Sequence, residues 1–501
     1  MNSTIKKVFG PPGSGKTTYL LNVVDQELDA GVSTGRIGYF SFTRKAANEA
    51  RDRAIAKFPG LNEKTDFPYF RTLHSLAFRC LSVKTDDMMQ AEHYHEFAHE
   101  TGIQLEINRD DEEGYAKADN PILNEINLAR IRGSDLRTHY NNSGLDIEWH
   151  HFEFVERSYR HYKTSRNLLD FTDLLEMVVL DKGRLPQLDV LIIDEAQDLS
   201  RLQWGLVYEL VGKSKRVYIA GDDDQAVFTW AGADVKSFLE FQGDIHVLQQ
   251  SYRVPATVHT LANSIVRRIR NRQSKDWKPR DYLGAVRQYR RFEDIPVDDG
   301  EWLFLASTNY MLNPVHEWLK GNGVLFERNG IPSISTQMIK AVMDWEKLRK
   351  GQALGLNDIQ SIYKYLGASC VARGFKTFKG DIDVIEYTLA DLQRSYGLLT
   401  DAVWYDALDR ISEDKREYLR AILRRGFKIS AASRIRLSTI HGAKGGEADN
   451  VVVMMDLSPK FAKEYALDSD NINRLLYVAV TRTKKTLHLV LPKQQDKGFR
   501  L

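Results

Sequence analysis

Short apolar runs alternate with stretches of helical period along most of the 501-residue chain. The runs that predict strands lie at Ile5–Phe9, Arg36–Thr43, Leu188–Asp194, Arg216–Ala220, Ile245–Leu248, Trp302–Ser307, Arg434–Ile440, Asn450–Asp456 and Thr486–Pro492. Continuous apolar runs separated by helices are typical of parallel sheets that are buried on both faces. The pattern therefore predicts an α/β protein with two parallel-sheet units.

Two long segments interrupt this alternation. Residues 81–170 are polar, acid-rich and helical in period, with no obvious strand, and residues 334–433 turn helical again. We expect each to be a helical insertion. The predicted domains are then residues 1–80 with 171–245, the insertion 81–170, residues 246–333 with 434–501, and the insertion 334–433.

The composition is that of a soluble globular protein, with 43% hydrophobic and 28% charged residues. The formal net charge is only +2, so any binding of nucleic acid must come from local basic patches. Such patches lie at Arg267–Arg272, Arg287–Arg291 and Lys415–Lys428, although each alone is more commonly a solvated face.

Several protein classes are disfavoured. The two cysteines, Cys80 and Cys370, are far apart, which argues against a disulfide framework or a cysteine zinc site. The first residues contain no apolar segment of the kind found in signal peptides, and no apolar run approaches the ~18 residues of a membrane span. We expect a cytoplasmic protein that does not bind membranes.

A glycine-rich stretch, GPPGSGKTT, lies between the first predicted strand and a predicted helix, as a phosphate-binding loop requires. Its glycines let backbone N–H groups wrap a phosphate, with Lys16 reaching the β- and γ-phosphates and Thr17 binding Mg²⁺. The residues predicted to bind the nucleotide here are Gly10, Gly13, Ser14, Gly15, Lys16, Thr17 and Thr18.

An acid pair, Asp194 and Glu195, ends the apolar run LDVLIID. Such a pair alone is commonly a solvated strand end. Downstream of a phosphate loop, however, Asp194 would hold the Mg²⁺ and Glu195 could accept a proton from the attacking water. The two motifs together predict hydrolysis of a nucleoside triphosphate, without indicating what that hydrolysis drives.

Further motifs give the chain a resemblance to superfamily 1A helicases, the UvrD/Rep/PcrA family. Nine matching stretches follow one another in family order: GPPGSGKTT, FSFTRKAANEA, TLHS, DFTDLL, IIDEAQD, GDDDQAVFTWAGA, QSYR, TIHGAKGGE and RLLYVAVTRT. The resemblance implies two RecA-like P-loop domains, with insertions that match the 1B and 2B subdomains. ATP would bind between the two RecA-like domains, and single-stranded DNA would cross their top.

The resemblance also assigns roles to individual residues. Gln225 would link the γ-phosphate to the nucleic-acid groove. Arg253 and Arg482, both in the second predicted unit, would stabilise charge on the γ-phosphate. Tyr252 would stack on the base, and Glu447 would contact the ribose.

Three aromatic residues match family positions that stack on the bases of a single strand: Phe42, Phe228 and Trp230. Because every base has a π face, such stacking permits stepping that does not depend on sequence. The alternative is that the rings pack in a core, which is the default for a ring at a strand end such as Phe42. His74 and His441 match positions near the DNA backbone, although a lone histidine is usually structural.

The chain also departs from the family pattern. Ala231 and Gly446 stand where relatives often have Arg and Leu, respectively, and residues 1–9 contain no counterpart of the adenine-reading glutamine. The 2B-like insertion is also small, which bears on strand separation more than on ATP hydrolysis.

The overall prediction is an ATP- and Mg²⁺-dependent 3′-to-5′ DNA helicase and translocase that acts on single-stranded and tailed duplex DNA in repair or replication. One alternative is an ATPase that strips proteins or remodels recombination intermediates with little unwinding. Another is a regulatory module that binds nucleotide and uses hydrolysis as a timer. The sequence indicates no protein partner.

Overall fold

The computed structural model describes residues 3–41, 44–57, 60, 62, 66–109, 116–297, 299–381, 385–424 and 433–501. The chain divides into two compact units. The first consists of residues 1–284, 463–482 and 501, and the second of residues 285–462 and 483–500. Among the described residues, the structure contains no helix with the length and apolarity needed to span a membrane.

The first unit is built on a sheet with the strand order β3-β2-β6-β7-β1-β8, in which every pair is parallel. Its strands are β1 (Thr4–Phe9), β2 (Ile37–Phe40), β3 (Phe70–Arg71), β6 (Leu188–Ile193), β7 (Ser214–Gly221) and β8 (Asp244–Val247). Apart from the short edge strand β3, these lie within one to three residues of the predicted runs.

Both faces of this sheet are buried, which explains the continuous apolar runs. Along β6, Leu191 and Ile193 enter the core on one face, whereas Val190 and Ile192 enter the core on the other. Successive side chains of a strand point to opposite faces, so a strand covered on both sides has no polar position to alternate with. The same two cores receive Phe9 and Val8 from β1.

Helices cover the sheet and form most of the insertion in the first unit. They are α1 (Lys16–Asp29), α2 (Arg44–Lys57), α3 (Leu73–Leu81), α4 (Ala91–Thr101), α5 (Pro121–Arg132), α6 (Leu136–Ser143), α7 (Trp149–Arg166), α8 (Phe171–Leu180), α9 (Arg201–Val211), α10 (Val235–Glu240), α11 (Ala256–Val266) and α19 (Ser469–Val480). Three short 3₁₀ helices follow strands of this sheet. One, Ala196–Asp198, follows β6, and two, Asp223–Gln225 and Thr229–Ala231, follow β7.

The insertion 81–170 was predicted to lack strands, and this is wrong in one place. Strands β4 (Glu106–Arg109) and β5 (Ala116–Asp119) form an antiparallel hairpin there. Their sequences, EINR and AKAD, contain few apolar residues and no β-branched run, so a period of two was not visible. The core of the insertion is otherwise helical and centres on Phe97, Phe152 and Val155.

The second unit contains a sheet with the order β12-β11-β15-β10-β16-β17-β9, parallel except between β11 and β12. Its strands are β9 (Ala285–Tyr289), β10 (Trp302–Ala306), β11 (Glu327–Arg328), β12 (Ile331–Pro332), β15 (Ile435–Thr439), β16 (Ala448–Met454) and β17 (Thr483–Val490). The predicted α/β class with parallel sheets is therefore confirmed.

The remaining elements pack against this sheet or lie in the segment predicted as the second insertion, except α18, whose residues are divided between the two units at positions 462 and 463. They are α12 (Asn313–Gly321), α13 (Thr336–Arg349), β13 (Leu354–Gly355), α14 (Leu356–Tyr363), β14 (Glu386–Tyr387), α15 (Leu389–Ser395), α16 (Trp404–Ala407), α17 (Glu413–Arg424) and α18 (Pro459–Leu467). One apolar core runs from Phe304 of β10 to Trp345 of α13 and Tyr387 of β14.

Candidate nucleotide site and nucleic-acid interface

The phosphate loop joins β1 to α1 at the carboxyl edge of the first sheet. Gly13 and Gly15 have φ values of 70° and 74°, a region that residues with a Cβ rarely adopt. A Cβ added to Gly13 would also lie 2.3 Å from Cβ of Arg253. The glycines therefore permit both the turn and the close approach of a neighbouring segment.

Three hydroxyl residues of the loop and of the first turn of α1 fit a phosphate ligand. Ser14 is buried, and within the described residues its Oγ has no hydrogen-bond partner. A buried polar atom without a partner is uncommon in proteins and indicates a ligand or water. Thr17 and Thr18 lie in the first turn of α1, where N–H groups and the helix dipole favour an anion.

Lys16 lies against the acid pair that follows β6. Its Nζ is 2.6 Å from Oε1 of Glu195 and 3.4 Å from Oδ1 of Asp194. Burial alone would lower the pKa of Lys16, but the two carboxylates outweigh it and raise that pKa above its ordinary value. Burial raises the pKa of Asp194 in spite of the opposing charge of Lys16. Lys16 thus stays an ammonium.

Glu195 adopts a left-handed backbone conformation, with φ 55° and ψ 38°. A residue with a Cβ rarely occupies this region, and such strain is concentrated at functional sites. The peptide N–H of Glu195 donates to Oδ1 of Asp194 at 2.8 Å. This turn directs the Glu195 side chain to Lys16.

Two residues of this site were not predicted from the sequence. Gln197 is fully buried; its amide donates to Oε2 of Glu195 at 2.5 Å, and its Oε1 accepts from the N–H of Asp222 at 2.9 Å. Tyr39 of β2 donates to Oδ2 of Asp194 at 3.0 Å. Gln197 lies within the motif IIDEAQD, so its position beside the acid pair was the available signal.

Gln225 and Arg482 meet in the first unit. The Gln225 amide donates to Oδ2 of Asp222 at 2.6 Å, and Arg482 donates to Oε1 of Gln225 at 2.7 Å. Arg482 is buried, and its Nε donates to the carbonyl of Val478 within α19. The predicted glutamine and one predicted arginine are therefore in direct contact.

The segment QSYR packs directly on the phosphate loop. Ser251 Oγ donates to the carbonyl of Pro12 at 2.7 Å, and the N–H of Tyr252 donates to the carbonyl of Gly13 at 2.8 Å. The Tyr252 side chain is 71% exposed, as a ring that stacks on a ligand would be. Tyr252 and Arg253 thus belong to the first compact unit, beside Gly13.

Two of the three aromatic residues predicted to stack on bases, Phe228 and Trp230, lie next to each other. Trp230 is 61% exposed and lies 6.5 Å, centroid to centroid, from Phe228 in an edge-on arrangement. Thr229 between them is held through its carbonyl by Arg132 of α5. An exposed tryptophan next to a second ring is suited to stacking on a base. Phe42 lies outside the described residues.

His74 lies in the first turn of α3, close to Phe228 of the aromatic pair. Thr72 caps α3 by accepting from the N–H of Ser75 at 3.2 Å, which fixes the first turn. The His74 ring then lies 5.7 Å from Phe171 of α8, edge to face. His74, Phe171 and Phe228 line one cavity of about 290 Å³ in the first unit.

Two predicted site residues lie in the second unit. Glu447 is 3.7 Å from Lys484, and its carbonyl accepts from Arg436. His441 stacks on Phe461, with centroids 6.1 Å apart.

Known proteins match both ends of the chain. A family model for the UvrD/REP helicase N-terminal domain matches residues 2–246, and one for the UvrD-like helicase C-terminal domain matches residues 434–490. The chain is 24% identical to the ATP-dependent DNA helicase PcrA of Bacillus subtilis over 380 residues, which is 71% of this chain and 50% of that protein.

Two further relatives give a similar result. PcrA of Staphylococcus aureus is 28% identical over 309 residues, 55% of this chain and 40% of that protein. DNA helicase II of Haemophilus influenzae is 25% identical over 339 residues, 64% of this chain and 45% of that protein. The chain thus spans about half the length of these relatives or less. With both family models matched in order, the chain belongs to the UvrD/Rep family of helicases.

Proposed function

We propose that this chain is an ATP-driven motor that moves along single-stranded DNA. The observation that carries the proposal is one connected set of side chains: Lys16 contacts Glu195, Gln197 links Glu195 to Asp222, and Gln225 links Asp222 to Arg482. These groups come from four separate stretches of sequence. Their convergence beside a phosphate loop is the arrangement that coupled hydrolysis requires.

The loop N–H groups, Ser14 and Lys16 would hold the phosphates of ATP. The oxygen donors of Thr17 and Asp194 fit Mg²⁺, which prefers hydroxyl and carboxylate oxygens. When bound, Mg²⁺ neutralises charge on the phosphates. Tyr252 would stack on the base and Arg253 would approach the γ-phosphate, while Glu447 remains the proposed ribose contact.

Glu195 would accept a proton from the attacking water. Its carboxylate contacts Lys16 and Gln197, and the Gln197 contact would keep the carboxylate in place when the Lys16 ammonium turns to the phosphates. Arg482 would then stabilise charge on the γ-phosphate, and Gln225, which it contacts, would sense that change.

Trp230 and Phe228 would stack on the bases of the strand, and His74 and His441 would lie along its backbone. Exposure of Trp230 supports this role, because a core ring would be covered. The resemblance of GDDDQAVFTWAGA to family sequences supports 3′-to-5′ movement, and tailed duplex DNA is the proposed substrate for unwinding.

The test measures ATP hydrolysis with and without short single strands of DNA and of RNA. We expect stimulation by DNA in the wild type and none in Lys16→Ala. Trp230→Ala should cost about 1–3 kcal/mol of strand binding, the usual scale for one stacked base, and should weaken stimulation. Hydrolysis that responds to neither DNA nor RNA would instead support a regulatory module that uses nucleotide as a timer.

A further inference from the structure

A lysine outside the motifs described above is buried among the three acids of GDDD. The Lys275 side chain has no exposed surface. Its Nζ lies 3.0 Å from Oδ1 of Asp222 and 2.8 Å from Oδ2 of Asp224, and it also contacts Asp223. The three carboxylates are close enough together to hold a metal ion, but the ammonium of Lys275 lies among them and takes that place.

Neighbours of Lys275 complete the cluster. Arg272 donates two parallel hydrogen bonds to Asp224, at 2.7 and 2.6 Å. The N–H of Gln273 donates to Asp223 at 2.8 Å. Bidentate guanidinium–carboxylate pairs fix geometry as well as charge. The segment 270–275 is therefore bound to the GDDD turn, residues 221–224, by several hydrogen bonds and ion pairs.

The same segment is attached to α19, the helix that ends just before Arg482. Arg474 of α19 donates to the carbonyl of Asp223 at 3.0 Å and to that of Asn271 at 2.6 Å. Asp470, at the start of α19, accepts from the N–H groups of Arg270 and Asn271. The GDDD turn, the segment 270–275 and α19 are thus one hydrogen-bonded assembly within the first unit.

One carboxylate joins this assembly to Gln225. Oδ1 of Asp222 faces Lys275, whereas Oδ2 of the same carboxylate accepts from the Gln225 amide at 2.6 Å. Gln225 in turn accepts from Arg482. Lys275, together with the N–H of Asp224, which donates to Oδ1 of Asp222 at 3.3 Å, therefore holds the rotamer of a side chain that orients Gln225.

We propose that Lys275 is a positioning residue for hydrolysis, which holds Asp222 so that Gln225 and Arg482 face the γ-phosphate together. The inference rests on the proposed function. A purely stabilising role explains the cluster less well, because desolvation largely cancels the gain from a buried ion pair. What such a pair supplies here is one fixed geometry for a side chain of the nucleotide site.

The test separates positioning from stability with two variants. Lys275→Met removes the ammonium from a packed site, and we expect it to lower kcat of DNA-stimulated hydrolysis about tenfold or more while KM for ATP stays within about threefold. Lys275→Met with Asp223→Asn removes one positive and one negative charge together. The Asp223 carboxylate contacts Lys275 and the N–H of Gln273, and its pKa is already raised to about 6, chiefly by burial.

We expect the double variant to regain the thermal stability of the wild type. Its kcat should stay low, because Asp222 still lacks its ion pair with the Lys275 ammonium. This variant also serves if Lys275→Met alone does not fold. Lys236→Met, at an exposed position on α10, is the matched control and should match the wild type.

Coupling to Gln225 is tested by a double-mutant cycle. If Lys275 acts through Gln225, then Lys275→Met should change kcat by less than about threefold in a Gln225→Ala background. Recovery of wild-type kcat by the charge-balanced double variant, or losses that multiply in this cycle, would overturn the positioning role. Failure of the wild type to respond to DNA or RNA would instead overturn the proposed motor function.

Discussion

Glu195 shows how much of the site's chemistry is decided by one residue. Its left-handed backbone conformation is of a kind that costs of the order of 1–3 kcal/mol, and it persists only where surrounding contacts enforce it. Here Lys16, Gln197 and Asp194 supply those contacts. This backbone conformation orients the Glu195 carboxylate toward Lys16 of the phosphate loop, as its proposed role as a general base would require.

Replacement of Glu195 by Gln should separate nucleotide binding from hydrolysis. Because an amide keeps the shape but cannot accept the proton of water, we expect kcat to fall by about 10² or more while ATP still binds. Phosphate release and the affinity for a fluorescent ATP analogue measure the two properties. Lys16→Ala should lose both, and near-normal turnover in Glu195→Gln would show that Glu195 is not the base.

At the residue scale, contiguous motifs made most of the site predictable. Asp194 and Glu195 directly follow β6, Lys16 begins α1 after the phosphate loop, and the structure brings them within contact distance. Lys275 could not be predicted, because a lone lysine in a basic, polar stretch looks solvated. Lys275 is buried because it pairs with carboxylates that are distant in the sequence; Asp223, for example, lies 52 residues away.

Among the elements, strands buried on both faces were predicted well, whereas the edge strands β3, β9 and β12 were missed and the edge strand β8 was found. β6 and β16 have apolar runs because residues that point to either face are buried. β9, with the sequence AVRQY, lies at the edge of the second sheet with two exposed residues, so its pattern is weak. The β4–β5 hairpin was missed for the same reason. The predicted four-part domain division stays a prediction.

The β17 strand carries a buried histidine that should make the second unit sensitive to acid. His488 stacks on Tyr289 and packs against Trp302, and within the described residues neither ring nitrogen has a hydrogen-bond partner. Burial, with a smaller contribution from Arg287, lowers its pKa from 6.5 to about 4. The unfolded chain therefore binds this proton first as the pH falls.

Stability contributed by neutral His488 should be complete above pH 6.5 and should be lost as the pH falls toward 4. The loss is at most about 3 kcal/mol, because one pKa unit corresponds to about 1.4 kcal/mol. Hydrogen exchange of β17 amides measures it locally. His488→Phe should flatten this pH dependence. The control is His150→Gln, a substitution of an exposed histidine in α7, which should leave the pH dependence unchanged. An identical profile in His488→Phe would contradict the assignment.

On the scale of the whole molecule, parallel sheets and family membership together identify two RecA-like folds. The groups proposed to face the phosphates, from Lys16 to Arg482, lie within the first compact unit. Arg482 reaches that unit because α19 packs with the GDDD turn through Arg474. Sequence order places α19 with the second set of strands, so only tertiary contacts could reveal this association.

Direction of movement is a property of the whole motor, because a single strand has the same bases but an opposite backbone polarity in its two orientations. A motor whose binding groove accepts the backbone in one orientation moves along the strand in one direction only. We expect 3′-to-5′ movement, so ATP hydrolysis should displace streptavidin from biotin at the 5′ end of a single strand and not from the 3′ end. Lys16→Ala controls for spontaneous release.

The same polarity should appear as unwinding of a duplex with a 3′ tail and not of one with a 5′ tail. The two assays answer different questions, because streptavidin release needs only translocation, whereas tailed duplexes need strand separation as well. Release at the 5′ end without unwinding would identify a motor that strips proteins or remodels DNA intermediates. Preference for the 3′ end would contradict the direction while leaving an ATP-driven motor in place.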